Sequence, residues 1–225
     1  MNEPTKEQAR ERAREIAKGW LARGDAVGWF DEFYRDAAGV EACVPWADLA
    51  GHPLLVEWLA RERVDGLGRR ALVVGCGLGE DCEALARAGF EVAGFDVSPT
   101  AIEWAHKRFP DSRVSYHTAD LFHPPREWQR AFDFVFECYT IQALPPELRL
   151  HAVQHIADFV GKNGSLLVVT RAREPEEDVG QLPWPLTKSE LLAFEALGLR
   201  QASFEDIAES GQPPSRHFRA LYRRP

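Results

Sequence analysis

The chain is predicted to fold as an α/β protein: a doubly wound, mostly parallel seven-stranded sheet with an antiparallel last strand, under an N-terminal helical cover. Three observations carry this. From residue 71 onward, apolar runs of strand length alternate with helical segments. The first run ends in the turn Gly75-Cys76-Gly77-Leu78-Gly79, a sharp strand-to-helix connection that needs residues without a Cβ. The second run ends in an acid, Asp96, seventeen residues beyond the last of those glycines.

Taken in order, residues 4–23 read as a helix. Thr5 and Gln8 make a capping box, and Ala9, Ala13, Ile16, Ala17, Trp20 and Leu21 recur at helical spacing. The apolar stripe is thin, which suits a helix laid over a domain. Residues 24–53 are rich in aromatics: Trp29, Phe30, Phe33, Tyr34 and Trp46. Val44-Pro45-Trp46 reads as a proline-stiffened bend able to hold an indole over a cation. A short helix is expected over Leu54–Arg63. The chain is accordingly divided into a cover, 1–65, and a core, 66–225.

In the core, strands are expected at Ala71–Val74, Glu91–Phe95, Arg113–His117, Phe132–Glu137 and Ser165–Thr170, with helices opened by Ser98-Pro99 and by Pro145-Pro146-Glu147. Right-handed crossovers put the strand C-termini on one edge, where the glycine turn, Asp96, Asp120 and Glu137 fall together. Residues 171–186 leave the fifth strand on that edge and read as a lid, a substrate loop or a plain surface loop. Thr187-Lys188-Ser189-Glu190 opens a helix ending at Gly198. Arg200–Asp206 and His217–Arg223, joined by a Gly-Gln-Pro-Pro turn, are expected as an antiparallel pair closing the sheet.

With 225 residues, 45% of them hydrophobic, one main core is expected. A net charge of −8 and a pI near 5.4 argue against a polyanion as the main partner. Neither a membrane span nor a signal peptide is legible, so cytoplasmic residence is expected. Cys43, Cys76, Cys82 and Cys138 include no C-x-x-C and no zinc spacing, and read as reduced thiols with no metal site.

Glycine spacing selects the ligand. The dinucleotide pattern G-x-G-x-x-G fails from Gly75 and from Gly77, whose sixth positions are Glu80 and Cys82. Glu80 and Asp81 at the helix start would repel a phosphate. A carboxylate at the end of the second strand suits the two hydroxyls of a ribose. An adenosine-bearing ligand without phosphates fits this pattern.

With Val73-Val74-Gly75-Cys76-Gly77-Leu78-Gly79 and Gly94-Phe95-Asp96-Val97-Ser98, the chain from about Val44 onward resembles a Rossmann-like class I S-adenosylmethionine (SAM)-dependent methyltransferase. The aromatic cover, the Val-Pro-Trp bend and the runs Ala86–Val92 and Ala143–Arg149 resemble more particularly the thiopurine and halide/thiol methyltransferase branch, which methylates small soft nucleophiles. The resemblance implies that Gly75, Cys76 and Gly77 line the methionine part of SAM, that Asp96 binds the ribose and that Val97 lies against the adenine. It implies that Asp120 takes the adenine amino group while the Leu121 main chain reads the ring, that Glu137 stands near the methionine end and that Trp29 and Trp46 cover the cofactor. Two departures stand out. Val73 occupies a position where many class I enzymes carry an acid, one that the halide/thiol branch also lacks, and Cys138 separates Glu137 from Tyr139 where that branch commonly sets its tyrosine directly after the acid.

The expected activity is methyl transfer to S, N or O of a small aromatic or thiol-containing molecule, by a monomer or homodimer that engages neither nucleic acid nor membrane. Alignment of two bound reactants supplies most of the acceleration in such a displacement. Tyr139 is the catalytic candidate, with His52, His117 and His123 as other possible bases. The alternatives are a SAM-binding module without turnover and an NAD-dependent oxidoreductase, which the glycine spacing disfavours.

Overall fold

The computed structural model describes residues 4–47, 49–209 and 215–225; the expected Gly-Gln-Pro-Pro turn, at 211–214, lies outside the described residues. Its strands are β1 (Arg70–Val74), β2 (Glu91–Asp96), β3 (Ser115–Thr118), β4 (Phe132–Cys138), β5 (Val160–Arg171), β6 (Arg200–Glu209) and β7 (Ser215–Arg223). They form a seven-stranded sheet in the order β3-β2-β1-β4-β5-β7-β6. The first five run parallel, and β7 is inserted antiparallel between β5 and β6. β3 begins later than the sequence suggests, because Ser112 accepts from the Val114 N–H and keeps the chain turning. β5 begins earlier, through an irregular register opposite Phe132 and Phe134.

The helices are α1 (Lys6–Leu21), α2 (Gly28–Asp36), α3 (Pro53–Arg61), α4 (Glu80–Arg87), α5 (Pro99–Arg108), α6 (Pro146–Phe159), α7 (Lys188–Leu191) and α8 (Ala193–Ala196). The Thr5/Gln8 and Thr187/Glu190 capping boxes both form. Sequence reading placed no helix at α2, whose start is held by Asp25, accepting from the Val27 and Gly28 N–H groups. The single helix expected up to Gly198 is instead divided at Leu192, whose N–H bonds back three residues to Ser189 and tightens the turn.

Successive strand residues face opposite sides, so the sheet buries two apolar layers. One joins Leu72, Val74, Val135, Leu166 and Val168 to Ala152, Val153 and Ile156 of α6. The other joins Val73, Phe134, Phe136, Leu167 and Val169 to Leu54, Leu55 and Trp58 of α3 and to Cys82 and Leu85 of α4. Gly94 is required on this second face: a Cβ there would stand 2.4 Å from Cys82 Sγ. A third cluster packs Ile16 and Ala17 of α1 and Trp29 and Phe33 of α2 against Leu78 of the glycine turn and Leu182 of the 171–186 segment. Arg14 also donates to the Leu182 carbonyl at 3.2 Å, so that segment is docked onto the cover.

Candidate active site

Strand order reverses between β1 and β4, and ligands of such sheets lie in the crevice at that point. Val74 is in register with Phe95 of β2 on one side and with Glu137 of β4 on the other. The turn leaving β1 is thereby flanked by Asp96 and Glu137. Gly75, Gly77 and Gly79 all have φ between +52° and +94°, a backbone that favours glycine. At Gly75 a side chain is also excluded by contact, since a Cβ would lie 2.4 Å from Thr140 Oγ1.

Asp96 is buried and accepts from the Gly77 N–H at 3.0 Å and the Ser98 N–H at 2.9 Å. A carboxylate has roughly four acceptor directions, so about two remain for a ribose. Burial pushes its carboxyl up to about 6, against the pull of those backbone donors. Glu137 is completely buried; Oε1 accepts from the Ile141 N–H at 3.0 Å, and Oε2 has no partner among the described residues. Burial pushes this carboxyl up to about 7. The helix after the turn starts with Glu80, Asp81 and Glu83 and with no side-chain cap. Glu80 pairs with Arg108 at 2.6 Å, and Asp81 accepts from the His52 N–H at 2.6 Å. These carboxyl acceptors suit hydroxyls and cations and repel phosphate.

The cover is fastened to this end of the sheet. Asp31 accepts from the Ser98 hydroxyl at 2.8 Å and the Thr100 N–H at 3.2 Å, setting a carboxylate at the N-terminus of α5. Tyr34 accepts from Trp46 Nε1 at 2.8 Å, and its hydroxyl stands above Gly77. Trp46 is 38% exposed, whereas Trp29 is 2% exposed, stacked on Phe30 and edge-on to Trp46. The Trp29 ring, which the resemblance implies covers the cofactor, packs on Phe30 and edge-on against Trp46. Cys76 is likewise turned inward, its thiol beside Cys82 and Gly94, so that it offers the turn its backbone. Val97 is half-buried. Asp120 accepts from the Phe122 N–H at 2.9 Å and bonds His123 Nδ1 at 2.7 Å, and the Leu121 side chain is in the core. A cavity of about 620 Å³ opens between α2 and α5, lined by Tyr34, Thr100, Trp104 and Arg108 among others, on the flank of α5. Its lining includes no residue of the glycine turn, so the strand-edge chemistry, not this cavity, locates the site.

On the far side of the crevice the Tyr139 hydroxyl lies 2.9 Å from His52 Nε2 and 2.8 Å from His217 Nε2. Tyr139 has φ +64°, a strained setting for a bulky residue. The structure thus joins two of the expected base candidates, His52 and Tyr139. The other two are not with them. His117 packs on Trp128 at the β3 edge and His123 pairs with Asp120; β3 is three strands from β4, on the order of 14 Å at normal strand spacing. His217 was missed by sequence reasoning. Strand alternation signals only that it shares a face with Arg219, and nothing local marks it as a partner of Tyr139.

Fold and glycine turn together have the form of a class I SAM-dependent methyltransferase fold. The thiopurine S-methyltransferase family model matches residues 29–220, and the chain belongs to that family. It is 32% identical over 142 residues to a probable thiol methyltransferase 2 of Arabidopsis thaliana, covering 58% of this chain and 60% of the relative. It is 30% identical over 161 residues to a thiocyanate methyltransferase 1 of Brassica oleracea, covering 69% and 66%. The match thus spans about six-tenths of these relatives' length. Among solved structures, a protein from the conversion of a disulfide bond into a thioacetal group during echinomycin biosynthesis has a TM-score of 0.69 at 20% identity, covering 87% of this chain and 90% of that one. A Burkholderia thailandensis 1,6-didemethyltoxoflavin-N1-methyltransferase with bound S-adenosylhomocysteine has a TM-score of 0.67 at 16% identity, covering 87% and 85%. Both are likenesses of fold. Among the described residues no helix is long and apolar enough to cross a membrane.

Proposed function

We propose that the chain transfers the methyl group of SAM to S, N or O of a small aromatic or thiol-containing acceptor, in the cytoplasm, as a monomer or homodimer. In this reading residues 1–65 are the cover and 66–225 the methyltransferase core. The observation that carries it is the glycine turn between two buried carboxyls. Glu137 Oε2, buried and without a partner among the described residues, suits the ammonium of the methionine moiety, and the remaining acceptor directions of Asp96 suit ribose hydroxyls. Asp120, Val97 and the Leu121 main chain serve the adenine, the backbone of Gly75, Cys76 and Gly77 the methionine, and Trp46 the cationic end. The relatives' names support the acceptor class: they include thiol and thiocyanate methyltransferases and ubiquinone biosynthesis O-methyltransferases. The net charge of −8 favours a small acceptor over nucleic acid.

When bound, SAM supplies an electrophilic methyl on a sulfonium whose C–S electron pair stays with the departing sulfur. The protein's work is then alignment and exclusion of water. In this reading the cover closes the crevice through the packing of Leu78 and Leu182, and Tyr139 serves the acceptor side. Calorimetric titration with SAM, S-adenosylhomocysteine and NAD tests the reading. Micromolar binding of the first two with none of NAD is expected; binding of NAD alone overturns it. Aromatic thiols and azaheterocycles are then the first acceptors to assay.

A further inference from the structure

Arg171 ends β5 and opens the 171–186 segment, and its main chain is held three ways. Its N–H donates to Gln142 Oε1 at 2.7 Å, and its carbonyl accepts from the Leu186 N–H at 2.9 Å and the Thr170 hydroxyl at 3.1 Å. Its side chain is engaged by nothing comparable. The guanidinium is half-buried and forms no hydrogen bond, ion pair or ring contact among the described residues. The buried arginines elsewhere are bonded: Arg149 to the Leu144 carbonyl and Glu190, Arg219 to the Leu54 carbonyl, Glu57 and Glu205. Burial holds Arg171 below its ordinary range, since no bonded anion offsets the lost hydration.

The groups around it carry one sign in excess. On α1, Arg10 and Arg14 share a single carboxylate, Glu7, at 3.4 and 3.2 Å, and Arg14 also donates to the Leu182 carbonyl. All three lie within electrostatic reach of Arg171, together with Tyr139. Three guanidiniums thus share one carboxylate in a chain whose net charge is −8. Gln142 adds a further donor. The Arg171 N–H can only donate, which fixes the bonded amide atom of Gln142 as oxygen; the side chain is completely buried, and Nε2 has no partner among the described residues. The corner made by the ends of β4 and β5 under α1 is rich in donors and short of acceptors.

We propose that this corner is a carboxylate subsite, and that the methyl acceptor is an aromatic thiol carrying a carboxylate, which Arg171 pairs while Arg10 and Arg14 of the cover add to the positive field. This rests on the methyltransferase reading above and narrows its acceptor. A carboxylate meets a planar guanidinium with two parallel hydrogen bonds, which an uncharged thiol cannot do. The guanidinium is already partly dehydrated and its backbone is fixed, so little order is lost when it pairs. The methionine carboxylate of SAM is the rival occupant. Glu137 and the glycine turn, assigned to the methionine end, stand on β4 and β1, whereas Arg171 stands on β5, two strands from β1 and about 10 Å away at normal strand spacing. That interval gives Arg171 to the acceptor.

The test uses the full chain with 3- and 4-mercaptobenzoate, and thiophenol and methyl 4-mercaptobenzoate as uncharged controls. In the wild-type protein, kcat/KM for the better mercaptobenzoate should exceed that for either control about 10-fold or more, carried by KM, the scale of charge-assisted hydrogen bonds. Arg171→Gln should bring that ratio to about one, Arg171→Lys should keep part of it, and neither should alter the Kd of SAM. The denaturation midpoint of Arg171→Gln should not fall, because the guanidinium bonds nothing that its loss would orphan. Calorimetric titration of the S-adenosylhomocysteine-loaded protein with the same four compounds reads the preference without turnover. A ratio near one in the wild-type protein, a ratio that survives Arg171→Gln, or a variant whose loss lies in SAM affinity or in stability overturns the carboxylate subsite while leaving methyl transfer intact. Absence of SAM binding in the wild-type protein overturns the methyltransferase reading instead, and titration of the unloaded protein and of Arg171→Gln with benzoate then still reads the Arg171 site.

Discussion

The two walls of the crevice are made of different materials. On the β1–β2 wall the working parts are backbone: three glycines in left-handed conformation, N–H groups turned onto Asp96 and a helix start without a side-chain cap. On the β4–β7 wall they are single side chains brought from three places, with His52 and His217 respectively 87 and 78 residues from Tyr139. A backbone-built site needs consecutive residues of fixed type, so it ties one ligand to one motif. A side-chain-built site can change one residue at a time, so under the proposed function it suits the wall assigned to the acceptor.

The largest expected break in this contrast is at Arg219, which fastens α3, and with it the His52 cap, to β7. Its guanidinium is 2% exposed, donates to the Leu54 carbonyl at 2.8 Å and pairs with Glu57 and Glu205. Arg219→Ala should lower unfolding free energy by about 3 kcal/mol, through lost packing of a buried side chain, lost hydrogen bonds to two carboxylates and an orphaned carbonyl. Chemical denaturation reads this, and SAM affinity should survive in the variant below its melting point. Loss of SAM binding in the folded variant would show that the two walls do not act independently.

Next in size is Asp96→Ala, for which SAM binding should weaken by about 1.5–3 kcal/mol, the scale of hydrogen bonds to a charged group. Asp96→Asn is the companion that keeps one acceptor for the turn. Unchanged affinity in a folded variant removes the ribose assignment and with it the claim that this wall is the cofactor wall.

The smallest effect is proton linkage at Glu137. Its folded-state value, about 7, lies above the ordinary 4.5, so the native protein holds an extra proton between those limits and loses stability as pH rises through them. A bound cation reverses the preference, so SAM should bind with proton release and gain about 1 kcal/mol of affinity between pH 6 and 7. Titration in two buffers of different ionisation enthalpy measures the release, and Glu137→Gln should remove it. A pH-independent affinity in the wild-type protein would mean that the Glu137 carboxyl does not meet the ligand's charge.

The same division governs what the sequence discloses. Gly75 to Gly79, Asp96 and the strands around them are legible because turn and strand chemistry are local. Helix α2 is not, because its cap, Asp25, works through N–H groups of Val27 and Gly28 inside an aromatic stretch with no clean periodicity. That Trp29 is buried and Trp46 part-exposed is not legible either, since an aromatic's type does not disclose which side of a layer it faces. His117 and His123 are as conspicuous as His52, and only the strand order separates them from Tyr139. His217 is silent because its role is set by the insertion of β7 between β5 and β6, a property of topology.

That insertion also fixes an order of assembly during synthesis. Residues 70–138 contain every pairing among β1, β2, β3 and β4, so the wall built of backbone can form as soon as they emerge. β5, with Leu166–Val169 destined for complete burial, then has one edge open until residues 215–223 arrive to pair with it. A nascent chain paused in that interval would display an apolar strand edge to its neighbours. The segment that brings His217 to Tyr139 is the same one that shields β5, so a single late stretch of chain both closes that edge and finishes the side-chain wall.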